Sequence, residues 1–67
     1  MNNMAYRNRI REIRKAKSLT LADISGSAGI SIAYLCDIER GNRHGSEGTL
    51  KRIAEALGVT VNDLEVA

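Results

Sequence analysis

Tryptophan, phenylalanine and proline are missing from this 67-residue chain, and cysteine and histidine occur once each. Without the large aromatic rings, the core has to be built from Ile, Leu, Val and Ala. The lone Cys36 excludes an intramolecular disulfide and fits a reducing cytosol. No second thiol can resolve an oxidised Cys36 within the chain, and the neighbouring Asp37 disfavours its thiolate, so a redox-sensing role has little support. The lone His44 has no Cys or His companions at zinc spacing, so no metal site is expected. Ser31, Ser46 and Thr49 form no nucleophile–base–orienter set, and GNRHGSEG lacks the Lys-Ser/Thr ending of a phosphate-cradling loop. These gaps argue against an enzyme, and neither a cofactor nor a small-molecule ligand is indicated. No apolar run approaches the roughly 20 residues of a membrane span, and no signal-peptide pattern follows the first basic residues. A cytoplasmic protein is therefore expected.

Length and charge narrow the reading further. A chain of this size forms one small domain, residues 1–67. It buries only about 60% of its unfolded surface and is marginally stable. The net charge is only +2, but it is unevenly placed: residues 1–17 carry six basic and one acidic side chain, residues 46–67 two basic and four acidic. A basic N-terminal third suits phosphate contact. It equally describes an ordinary solvated helix face.

Periodicity predicts an all-α bundle of five short helices. The first spans about Met4 to Lys17, with Tyr6, Ile10 and Ile13 on one face and Arg7, Arg11 and Lys15 on the other. The second spans about Leu21 to Ala28. Thr20 and Asp23 have the spacing of a capping box at its start, and Gly29 provides a left-handed end. The third spans about Ile32 to Arg40, capped by Ser31 and ended by Gly41, with Leu35 and Ile38 inward and Tyr34 beside them. The fourth, about Glu47 to Leu57, begins at the cap Ser46 and stops at Gly58. Its Leu50, Ile53, Ala54 and Leu57 follow the i, i+3, i+4, i+7 pattern. The fifth is one or two turns, about Val61 to Glu65, where Thr60 and Asp63 repeat the capping-box spacing. Leu19, Ile24, Ile30, Leu35, Ile38, Leu50, Ile53 and Leu57 are the expected core.

The turn Ala28-Gly29-Ile30-Ser31 is too short for the second and third helices to lie side by side. They must cross steeply, as in a helix-turn-helix over about residues 20–40. The third helix is then an exposed rod of the size that fits the DNA major groove. At 100° per residue its outward positions are Ala33, Cys36, Asp37 and Arg40, with Ile32 at the shoulder. Ile32 and Ala33 offer only apolar contact, such as with a thymine methyl, or else are plain helix surface for a protein partner. Asp37 can accept from cytosine N4, or can pair with Arg40 or Arg43. The loop GNRHGS places Arg40, Asn42, Arg43 and His44 between glycines that let backbone approach a phosphate. Read blandly, the same loop is an ordinary polar turn.

IREIRKAKSLT, AGIS, YLCDIERGNR and TLKRIAEALGVTVNDL together resemble the phage-repressor and Cro-like (xenobiotic-response-element) helix-turn-helix regulators over roughly residues 8–65. The resemblance implies a lambda-repressor-like DNA-binding domain, a sequence-specific transcriptional regulator of phage, mobile-element or restriction-modification type. It implies base reading at Ile32, Ala33 and Asp37, to which the outward-facing Cys36 is added, and phosphate contact at Leu21 and Ser31. With the basic patch and the loop, the phosphate candidates are Arg11, Lys15, Leu21, Ser31, Arg40, Asn42, Arg43 and His44. The family also pairs an arginine late in the first helix with the glutamate of IERG, here Arg14 and Glu39. This chain departs from the pattern at Leu21, where glutamine is common, at Ile32 and Ala33, where polar readers are usual, and at Gly45, where proline is frequent. The glycine implies a more mobile loop. A protein-interaction module that keeps the fold, such as an antitoxin or adaptor, is the alternative.

With so few polar readers, one copy should bind weakly, and a two-fold dimer on palindromic double-stranded DNA is expected. Val59, Val61, Leu64 and Val66 form the candidate dimer surface, because so short a fifth helix should leave some of them exposed. The other outcome is that Val59 and Leu64 close the domain's own core.

Overall fold

The computed structural model describes residues 7–66. Five helices follow one another along them: α1 (Ile10–Ala16), α2 (Leu21–Ala28), α3 (Ile32–Arg40), α4 (Glu47–Leu57) and α5 (Val61–Leu64). Local chemistry sets most of the boundaries. The Thr20 hydroxyl accepts from the Asp23 N–H while the Asp23 carboxylate accepts from the Thr20 N–H, and Thr60 and Asp63 do the same at α5. Ser31 and Ser46 cap α3 and α4 by accepting from the amides of Tyr34 and Thr49. Gly29, Gly41 and Gly58 leave α2, α3 and α4 at φ of 70°, 83° and 74°, a region that side chains with a Cβ disfavour.

The start of α1 differs from expectation. Residues 4–6 of the predicted first helix lie outside the described residues, and residues 7–9 are not helical. Asn8 instead forms an antiparallel bridge with Glu65, and the Arg9 N–H donates to the Leu64 carbonyl at 2.7 Å. The Asn8 side chain accepts from the Ile10 amide at 3.1 Å, which satisfies a free N–H of the first turn, and donates to the Ile38 carbonyl at 2.8 Å. One residue thus ties the start of α1 to the last turn of α3 and to the C-terminal segment. The turn after α1 passes through Ser18, a non-glycine residue at φ 58°, with the Leu19 N–H returning to the Arg14 carbonyl. α5 stops at Leu64, one residue short of the predicted end.

Ile10, Ile24, Ala28, Leu35, Ile38, Leu50, Ile53, Ala54, Leu57 and Leu64 are buried together. Leu19 and Ile30, expected inside, are half-buried at the edge of this core. Ile10 and Leu64 fill it under the paired terminal segments. Between α2 and α3 the chain bends by 109°, so α3 leaves the core along one face only. Among the described residues, no single helix is long and apolar enough to cross a membrane.

Candidate nucleic-acid interface

The exposed side of α3 is the centre of the site. Leu35 and Ile38 are fully buried, which points Ile32, Ala33 and Arg40 to solvent and leaves Cys36 and Asp37 half-buried. Ile32, at 47% exposure, is the most exposed large hydrophobic side chain described. Ser31, also exposed, is engaged as the α3 cap through its hydroxyl.

On one flank, Arg11, Arg14, Leu21, Cys36, Glu39 and Arg40 line an open cleft of about 460 Å³. Residues from α1, the start of α2 and α3 meet there. Leu21 packs against the core at its edge. Arg11 and Arg40 are exposed, and among the described residues neither forms an ion pair. Lys15 is exposed on α1 but does not line the cleft. The floor is a forked ion pair. Arg14 Nε and Nη2 donate to the two Glu39 oxygens at 2.8 and 3.3 Å, and Nη1 donates to the Leu19 carbonyl at 2.9 Å. The two side chains are only 10% and 6% exposed. The Glu39 hydrogen bond holds the Arg14 guanidinium above its ordinary pKa although burial pulls the other way. This pair fixes α1 to α3 and gives the cleft a rigid base.

The loop after α3 forms the other flank. Asn42 and Arg43 amides both donate to the Asp37 carbonyl, at 2.9 and 3.3 Å, so the chain folds back over the last turn of the helix. Arg43 Nε donates to Asp37 Oδ2 at 3.3 Å, and the guanidinium carbon lies 5.7 Å from the Tyr34 ring centroid. Of the two candidate partners for Asp37, Arg43 holds it and Arg40 does not. His44 Nδ1 sits 3.1 Å from the Gly45 carbonyl. Gly45 has φ 79°, and a Cβ there would stand 3.1 Å from Ile38 Cδ1. Proline, locked near φ −65°, cannot adopt that conformation, so the loop follows a path of its own.

The candidate dimer surface changes most. Leu64 is fully buried, because its carbonyl is paired with Arg9 and its side chain closes the core. It is not available to a partner. Val59 and Val61 are half-buried against the core, and Val66 alone is exposed, at 44%.

A steeply bent helix pair with a capped, uncovered second helix is the arrangement of a helix-turn-helix, and the helix-turn-helix family model matches residues 10–64. The chain belongs to the Cro/C1-type helix-turn-helix family. Within that family it is 48% identical over 56 residues to the HTH-type transcriptional regulator DdrOP3 of Deinococcus deserti, covering 84% of this chain and 43% of DdrOP3. The chain thus spans less than half the length of that relative. The fold matches the restriction-modification controller protein C.AhdI of Aeromonas hydrophila with a TM-score of 0.79 and 31% identity, covering 82% of this chain and 83% of C.AhdI. It also matches SinR of Bacillus subtilis, the master regulator for biofilm formation, in complex with DNA. That likeness has a TM-score of 0.73 and 33% identity, over 81% of this chain and 87% of the SinR chain.

Two residues of this helix-turn-helix domain escaped sequence reasoning. Periodicity places Tyr34 only beside the inner face of α3, yet its ring lies under the Arg43 guanidinium. Asn8 falls inside the predicted first helix, yet it lies just ahead of α1 and accepts from the amide of its first residue, Ile10. An Asn two residues ahead of Ile10 was the available signal, since an Asn side chain can accept from the backbone amide two residues on and turn the chain there.

Proposed function

We propose that this chain is a non-enzymatic transcriptional regulator of the cytoplasm that lays α3 in the major groove of double-stranded DNA. The observation that carries this reading is the setting of α3. Its outer face is uncovered, its start is capped, and cationic side chains stand on both flanks, Arg11 and Arg40 across the cleft and Arg43 in the loop. Arg11 and Arg40 suit phosphates at the edge of a groove, and Arg43 stands at its other side within reach of phosphate or base, while Ile32, Ala33, Cys36 and Asp37 face base edges. Lys15, Ser31, Asn42 and His44 extend the phosphate-facing surface. Leu21 contributes packing and its backbone N–H at the start of α2.

The operator is read as palindromic and the regulator as a homodimer, with Val66 at the centre of the contact and Val59 and Val61 at its margin. DdrOP3 is named a transcriptional regulator and SinR was solved with DNA, which supports the reading. Affinity capture of fragmented genomic DNA by the purified chain tests it. Enrichment of a defined set of upstream sites is the expected result. A DNA-free eluate would overturn it and favour a protein-interaction module, for which exposed Ile32 would be the anchor.

A further inference from the structure

We propose that Arg43, braced by Asp37 and Tyr34, reads a guanine base and is not simply a phosphate contact; the inference rests on the DNA-binding reading above. The outer face of α3 is short of readers, since Ile32 and Ala33 carry no hydrogen-bonding side chain. Arg43 reaches this face from the loop and is oriented three ways. Its backbone N–H is tied to the Asp37 carbonyl, its Nε donates to Asp37 Oδ2, and its guanidinium lies over Tyr34. With Nε taken, the terminal Nη1 and Nη2 groups form the remaining fork. Among the described residues neither has an acidic partner. That fork matches the O6 and N7 acceptors of guanine.

Charge separates the two possible targets. A phosphate on this guanidinium would approach the Asp37 carboxylate and be repelled by it. Guanine presents neutral acceptors, which a carboxylate on the far side of the arginine does not repel. A bare phosphate contact also has no need of a fixed guanidinium plane, because charge alone suffices. The brace spends the ordering of a flexible side chain before DNA arrives, as a geometric reader requires. Asp37 and Tyr34 are then positioning residues, and the carboxylate on a DNA-facing helix gains a role.

The test is selection of binding sites from random duplexes with the parent chain, followed by anisotropy titrations on the selected site. Each guanine is replaced in turn by adenine or by 7-deazaguanine, which lacks the N7 acceptor. The parent should weaken at one guanine per half-site by roughly 5- to 150-fold on change to adenine. R43K and D37A should both lose discrimination at that one position and keep it elsewhere. Melting curves check that each variant folds, as expected for an exposed Arg43 and a half-buried Asp37. The 7-deazaguanine arm needs no variant at all. Arg43 would be a phosphate contact, and the proposal overturned, if R43A weakened every sequence alike and reduced the salt slope by about one. D37A that tightened all sites equally with preferences intact would overturn it as well. A parent that binds no duplex at low salt removes the regulator reading itself. A parent that binds selected sites without a guanine that depends on Arg43 removes only this inference.

Discussion

The Arg14–Glu39 pair shows how much one buried contact can carry in a small domain. Each charge has lost nearly all its water; Glu39 accepts from Arg14, and Arg14 donates to Glu39 and to the Leu19 carbonyl. Removing one leaves the other charged and buried, which costs about 3–5 kcal/mol. E39A should therefore lose at least ~3 kcal/mol in urea unfolding, a large share of what a domain of this size has. A variant that unfolds at the parent's midpoint would contradict the pairing. The capping aspartates act at the other end of the scale. Hydrogen bonds from the Thr20 and Thr60 amides hold Asp23 and Asp63 below the usual 3.8. A lowered carboxylate stabilises the fold above its unfolded pKa, and that contribution is lost as pH falls through the folded value. Melting temperature should accordingly drop below about pH 4, and drop less steeply in D23N/D63N; parallel pH curves for parent and variant would refute the assignment.

At the scale of elements, what could be read in advance was what is local. The caps of α2, α3, α4 and α5 each rest on side chains within three residues of the helix start, and the glycine ends are single positions. The start of α1 was not legible, because Asn8 answers to Ile38, 30 residues away, and to Glu65 across the domain. The partner of Asp37 was ambiguous because helical spacing favours Arg40, and only the turn at Gly41 brings Arg43 back. Leu64 lies in a four-residue helix, too short for periodicity to assign an inner face. Two further expectations belong here. Ser18 holds a left-handed conformation that costs a non-glycine residue roughly 1–2 kcal/mol, so S18G should raise the melting temperature, and a fall would show that the hydroxyl matters more than the backbone. Ser31 starts the recognition helix, and S31A should cost about 1 kcal/mol and weaken DNA binding more than S46A, which uncaps α4; equal binding losses would deny α3 its special place.

For the molecule as a whole, the question is how a domain with few polar readers on α3 obtains specificity. Charge flanking the helix supplies affinity without sequence information, so specificity falls to base-edge contacts such as the one proposed for Arg43 and to the symmetry of the proposed dimer. With Leu64 inside the core, the exposed apolar surface at the C-terminal end, among the described residues, is reduced to Val66 with parts of Val59 and Val61. That is little for a stable free dimer, so the dimer is expected to assemble on DNA. Sedimentation at micromolar concentration should find a monomer that becomes a dimer with a palindromic duplex and stays one-to-one with a half-site; V66D should lower affinity for the full site only. The central claim is that cations flanking α3 bind phosphates. The most direct measurement is the affinity for an upstream duplex as a function of salt. Log affinity should fall with log salt at roughly −0.9 per phosphate contact, steeply for the parent and less so when Arg11 and Arg40 are both changed to Ala. No binding at low salt, or a slope that those changes leave untouched, would contradict the account.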